Sequence, residues 1–156
     1  PMISTDTINP FVDATVDTFS TMCGVEPQRE GDLDVRVGMQ PTFDLVGIIG
    51  LSGSSRGAIM LTMPCEVGCK LVGAFLDEEI VEVDSEVMDA YGELLNIIAG
   101  GAAANLPDQT MNLAIPTVMM GEDQQVSSKE STPWVVIPMS FPDWGKFNIE
   151  VSMEEA

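Results

Sequence analysis

The sequence predicts an α+β fold, one sheet packed with helices and organised as a single domain over residues 1–156. Three observations predict it. Apolar residues recur at helical spacing in three segments. Short β-prone runs cluster in two blocks, 35–63 and 114–153. No low-complexity linker or tandem repeat divides the 156 residues, a length that buries a core without staples.

The first helix is expected from Ile8 to about Met22, with Ile8, Phe11, Val12, Thr15, Phe19 and Met22 on one side. Asn9 before Pro10 offers a cap followed by a first-turn proline, and Gly24 offers a stop. A polar connector over 26–34 follows, holding Pro27 and Gly31. VRVGM, FDLVGIIGL and RGAIMLTM read as strands, and SGSS at 52–55 as a hairpin turn. Gly47, Gly50 and Gly57 weaken these strands and are expected at bulges. Pro64 opens a helix over CEVGCKLVGAFL, whose apolar stripe is Val67, Leu71 and Phe75, flanked by Val72.

A further helix is expected from about 86 to 105, capped by Asp84 or Ser85 and stopped before Pro107. Glu86 and Asp89 lie near its positive end. AIPTVMMG, TPWVVIPMSF and KFNIEVSM are the last strand runs, with PDWG at 142–145 as the turn between the final two. The prolines of this tail suggest edge or irregular strands. Trp134 and Trp144 are expected as core and turn anchors, and the methionines as fillers of irregular gaps.

Composition narrows the function. The chain carries 25 Asp and Glu against 6 Lys and Arg, a formal net charge of -19. Nothing in it neutralises a run of phosphates or favours an anionic membrane surface, so neither nucleic acid nor membrane is expected as partner. No run approaches the roughly 18 apolar residues that span a bilayer, and no basic region precedes an apolar one at the start. The expected location is the cytoplasm. Hydrophobic residues at 45% separate the chain from disordered acidic tails.

The 3 cysteines, Cys23, Cys65 and Cys69, lack the spacing of a disulfide framework and read as free thiols. The sequence has 0 histidines. Serine or cysteine triads and the usual zinc hydrolase sites are therefore excluded. Chemistry is left to carboxylates, amides, hydroxyls, thiols or a partner. The GLSGSSRG segment lacks the GxxxxGK[ST] pattern and reads as a hairpin turn. Asp77, Glu78, Glu79, Glu82 and Asp84 lack the alternating ligands and central glycine of an EF-hand loop, so a solvated acidic connector accounts for them better than a cation site.

The 85–107 segment, SEVMDAYGELLNIIAGGAAANLP, is the most informative. On a helical wheel Val87, Tyr91, Leu94 and Ile98 form a core stripe, while Asp89, Glu93, Asn96 and Gly100 share the opposite face. Glu93 and Asn96 are neighbours three apart. Glu93 supplies a charge or a general base. Asn96 supplies both a donor and an acceptor, enough to orient water without changing protonation. Gly100, with the small residues around it, lowers the helix profile so that a partner's backbone can approach. Acids and amides opposite an apolar stripe also describe any solvated amphipathic helix, so the spacing alone serves both readings.

These residues resemble the CheX branch of the CheC/CheX/FliY family of chemotaxis phosphatases. The likeness rests on D89-x3-E93-x2-N96 and the IIAGGAAANL that follows. INPFVDATVDTF at 8–19 and GIIGLSGSSRGAIMLTMP at 47–64 support it. The resemblance implies a mostly antiparallel sheet packed with long helices, and commonly a homodimer joined through the sheet, to which segments ending in KFNIEVSM would give an edge. It implies an activity too: faster hydrolysis of the aspartyl phosphate on a CheY-like response regulator. Glu93 would pair with a regulator lysine, Asn96 would position the attacking water, and Asp89 would support the helix or interface. No cofactor is implied in this chain, and Mg²⁺ would sit on the partner.

CheC-type members usually carry two copies of the motif. Here the first helix offers Asp13-x3-Asp17 without E-x-x-N, which fits the CheX branch. The eight carboxylates between residues 77 and 93 would repel an acidic regulator site unless Glu93 meets a lysine and the others stay at a screened rim. The competing reading is a non-catalytic adaptor or sensor using the same helix face.

Overall fold

The computed structural model describes residues 5–38, 41–53, 55–106, 111–121 and 132–155. Helix α1 spans Thr5–Cys23, so Pro10 lies inside it and Asn9 is not its cap. The side chains that bury Ile8, Phe11, Thr15 and Phe19 set its direction, and helix precedes the proline as well as following it. Met22 is 41% exposed rather than part of the stripe, because the helix runs out at Gly24, whose φ of 66° turns the chain away. Helix α2 is Cys65–Leu76. Its cap comes from a distance: Pro64 offers no side-chain acceptor, and the Cys65 N–H donates to Asp44 Oδ1 at 2.9 Å. Helix α3 is Ser85–Ala104, capped by Asp84, whose Oδ1 accepts from the Val87 N–H at 2.9 Å.

The strands are β1 (Gln28–Arg29), β2 (Asp34–Val37), β3 (Leu45–Ser52), β4 (Ser55–Met63), β5 (Asn112–Leu113), β6 (Thr117–Met120), β7 (Pro133–Phe141) and β8 (Gly145–Glu155). They form one sheet in the order β1-β7-β8-β4-β3-β5, with β2 also on β7 and β6 also on β3, and the recorded pairings are antiparallel. The 52–55 turn joins β3 to β4, although Ser54 lies outside the described residues, as does Pro107. The PDWG turn closes β7 onto β8, with Trp144 stacked 5.3 Å from Phe141 between ring centroids.

Two expectations fail here. Strand β8 is no edge: β4 pairs along one side and β7 along the other, which leaves its hydrogen-bonding groups no partner to seek. Nor do the glycines mark bulges, since the β3–β4 register runs unbroken from Leu45↔Met63 to Leu51↔Gly57. Gly47 serves close approach instead. A Cβ there would stand 3.0 Å from Tyr91 Cε2 and 3.1 Å from Leu95 Cδ2, so its absence lets α3 sit down on the sheet. The Tyr91 hydroxyl donates to the Leu61 carbonyl at 2.8 Å and fixes that seat. Pro138 lies at an irregular point of its strand and not at a sheet edge. Strands β2 and β1 both cover the outer flank of β7, the pairing passes from one to the other beside Pro138, and its carbonyl accepts from the Glu30 N–H at 2.9 Å.

The helices pack together on one face, over Leu45, Ile49, Ile59, Leu61, Ile137 and Ile149. A smaller cluster of Val46, Met60 and Trp134 lies on the other. Polar residues of β8 alternate onto that second face, and among them Glu150 is only 1% exposed. Its Oε2 lies 3.2 Å from Arg36 Nη2. Burial pushes the Glu150 carboxyl up to about 7 from its ordinary 4.5, against the opposing pull of Arg36. A carboxyl raised on folding favours the folded state most when protonated, so its contribution is complete below pH 4.5 and gone above about 7. Measured by urea unfolding, the stability of the parent relative to Glu150→Gln should fall by about 3 kcal/mol across that window. A difference that does not change with pH would contradict this.

Candidate functional site

Helix α3 buries Val87, Ala90, Tyr91, Leu94, Leu95, Ile98, Ala99 and Ala102. With so many positions committed to the core, little of its circumference remains open. Asp89, Glu93 and Asn96 occupy that open part, all three exposed on successive turns. Gly100 continues the line but is half-buried, and a Cβ on it would lie 3.8 Å from Leu113 Cδ1 of β5. The glycine therefore adjoins the chain's own sheet, not only open surface. Among the described residues no hydrogen bond or ion pair engages the Glu93 carboxylate or the Asn96 amide. Both are available to another molecule.

A feature that the sequence does not announce forms the other wall. After β5 the chain passes through Ala114, Ile115 and Pro116 into β6, and this strap lies across α3. The Ala114 N–H donates to the Gly50 carbonyl at 2.9 Å, and Thr117 pairs with Ile48, so both ends of the strap are tied to β3. Gly92 is the reason it fits: a Cβ there would meet Val118 Cγ2 at 3.3 Å and Pro116 Cγ at 3.7 Å. Between strap and helix runs an open groove of about 610 Å³, whose lining includes Met88, Asp89, Glu93 and Asn96 on one side and Ile115 and Pro116 on the other. Only the glycine between Tyr91 and Glu93 hints at this contact in the sequence, since the partner lies more than twenty residues away.

Two carboxylates, Asp89 and Glu93, line the groove. Asp77, Glu78, Glu79, Glu82 and Asp84, on the connector before α3, are exposed to solvent and are not part of its lining. Among the described residues no group of three His, Cys, Asp or Glu side chains is arranged to hold a metal ion. Glu78 lies beside Glu86 and pushes its carboxyl up from the ordinary value by like-charge repulsion, aided by a hydrogen bond between them.

The thiols are poor nucleophiles. Burial raises Cys23 to about 12, and burial with the nearby Asp44 raises Cys65 to about 11. What the site offers is a carboxylate and a neutral amide on a rigid helix, with an apolar wall opposite. Such a set can bind a cation and orient a water molecule. It supplies no attacking group of its own. Among the described residues no helix is long and apolar enough to cross a membrane.

Comparison with known proteins bears on the family and the fold. The family model for the chemotaxis phosphatase CheX matches residues 45–140, more than half of the chain and all of α3. The chain is 27% identical over 124 residues to the CheY-P phosphatase CheX of Thermotoga maritima, covering 78% of this chain and 79% of that protein. Its fold is similar to that of the chemotaxis protein CheX of Desulfovibrio desulfuricans, with a TM-score of 0.84, 31% identity, and 95% and 99% of the two chains covered. It is also similar to CheX in the CheX–CheY–BeF3–Mg²⁺ complex of Borrelia burgdorferi, with a TM-score of 0.79, 26% identity, and 96% and 98% covered. The exposed acid–amide helix on this sheet and the family match converge on one conclusion: the chain belongs to the CheX family of chemotaxis phosphatases.

Proposed function

We propose that this protein, working as a single domain, accelerates hydrolysis of the aspartyl phosphate on a CheY-like response regulator. The observation that carries the reading is the exposure of Glu93 and Asn96 together on the open face of α3, free of partners among the described residues. The relatives support it, one being named a CheY-P phosphatase and another having been crystallised with CheY.

The acyl phosphate is already reactive, and what limits its loss is placement of water in line with the bond to be broken. In the proposed complex the Asn96 side-chain carbonyl accepts a hydrogen bond from that water, and its amide N–H₂ donates to a phosphoryl oxygen. Water oxygen then bonds to phosphorus as the phosphorus–acyl oxygen bond breaks. The electron pair leaves with the regulator's aspartate, and the water proton ends on inorganic phosphate or solvent. Glu93 pairs with a regulator lysine and holds the helix in register, with Asp89 supporting the same face. A Mg²⁺ ion held by the regulator would screen the phosphoryl charge.

The test is binding against rate. Glu93→Ala should weaken binding of a beryllofluoride-loaded regulator by about tenfold, the worth of one charge-assisted hydrogen bond. The loss should shrink at high salt. Unchanged affinity and unchanged phosphate release in this variant would remove Glu93 from the site.

A further inference from the structure

Ile115 is the most exposed large hydrophobic residue among those described, at 89%. Scattered surface apolar residues are ordinary, but the setting of this one is not. It stands at the crest of a strap tied to β3 on both sides, by Ala114 to Gly50 and by Thr117 to Ile48. Pro116 follows it and limits the backbone further. The strap has no slack with which to fold Ile115 inward. Its side chain is held at the lip of the groove whose opposite wall carries Glu93 and Asn96.

A partner that fills this groove to engage Asn96 meets Ile115 on the opposite wall. The electrostatics say what this contact must contribute. The chain carries a net charge of -19, with eight carboxylates between residues 77 and 93. The one pair that Glu93 can make contributes about tenfold, and the remaining negative charge opposes the approach of an acidic partner. The rest of the holding power has to come from desolvated apolar area, as at the centre of most interfaces. Met88 and Pro116 are half-buried within the groove, which leaves Ile115 with the largest apolar surface still open to water.

We infer that Ile115 is the apolar anchor of the docking surface, packing against an apolar patch on the response regulator next to its phosphorylated aspartate. This rests on the phosphatase reading and adds to it. Asn96 sets the rate within the complex, Glu93 the register and the salt-dependent part of the affinity, and Ile115 the salt-independent part and the choice among regulators. Ile115 is a docking residue and touches no reacting atom.

The test separates affinity from rate. Ile115→Ser, Ile115→Leu and Asn96→Ala are compared with the parent for binding of a beryllofluoride-loaded regulator and for phosphate release at saturating regulator. Burying one large aliphatic side chain predicts at least about tenfold weaker binding for Ile115→Ser, with the saturated rate within about twofold of the parent. Ile115→Leu should restore the binding, and the Ser effect should persist at high salt. Parent-like binding by Ile115→Ser, alongside an inactive Asn96→Ala, would overturn the anchor and leave the phosphatase reading standing. If Asn96→Ala released phosphate at the parental rate, the phosphatase reading itself would fall, and the anchor with it. The urea midpoint of Ile115→Ser should match the parent, since the side chain is exposed on the folded protein.

Discussion

Replacing Asn96 by alanine should lower the saturated rate of phosphate release by about 100-fold while leaving regulator binding near parental, because misplacing a reactant costs about that much. Asn96 is the amide on the open face of α3, beside Glu93, and can both accept from a water and donate to a phosphoryl oxygen without titrating. Alanine keeps the helix, and even improves its propensity, so the loss cannot be assigned to unfolding. Asn96→Asp is the sharper variant. It preserves size and the acceptor while removing the donor and adding a negative charge facing the phosphoryl group. It should be no better than alanine. A rate within a few-fold of the parent for both variants would show that the amide does not position the water.

The largest effect on stability is expected at Tyr91. Its side chain is fully buried, its ring lies over Gly47, and its hydroxyl donates to Leu61 at 2.8 Å. Tyr91→Ala should cost about 3–5 kcal/mol in urea unfolding, from lost apolar burial and the cavity left above the glycine. Tyr91→Phe removes only the hydrogen bond and should cost about 1 kcal/mol. Because Gly92 and Glu93 follow directly in the helix, a relaxed α3 would also shift the groove. The alanine variant should therefore lose phosphatase rate even under conditions where it remains folded. A destabilisation below about 1 kcal/mol for Tyr91→Ala would mean that α3 is not seated on the sheet as described.

The sequence was most legible where structure is local. The α3 stripe of Val87, Tyr91, Leu94 and Ile98 is buried as its spacing indicates, and Asp89, Glu93 and Asn96 face outward. Turn residues identified the β3–β4 and β7–β8 hairpins, whose strands are neighbours in the chain. Strand order was not legible, because the β4–β8 pairing joins segments some ninety residues apart and places β8 inside the sheet. The two-residue strands β1 and β5 are too short to carry a periodicity. The same holds for the site. Its helix could be read from spacing, while its second wall, built by Gly92 against Pro116 and Val118, exists only once the chain has folded. Glu150 is a further case: within the KFNIEVSM strand run nothing marks it as buried, and the fold buries it beside Arg36.

The most direct measurement is a phosphate-release time course on a phosphorylated CheY-like regulator from the same organism, with this protein added at amounts well below the regulator. The account predicts first-order decay that quickens in proportion to added protein, each molecule serving many regulators. Decay at the regulator's own rate, under conditions where the two proteins demonstrably bind, would contradict it and leave α3 as a docking surface without catalysis.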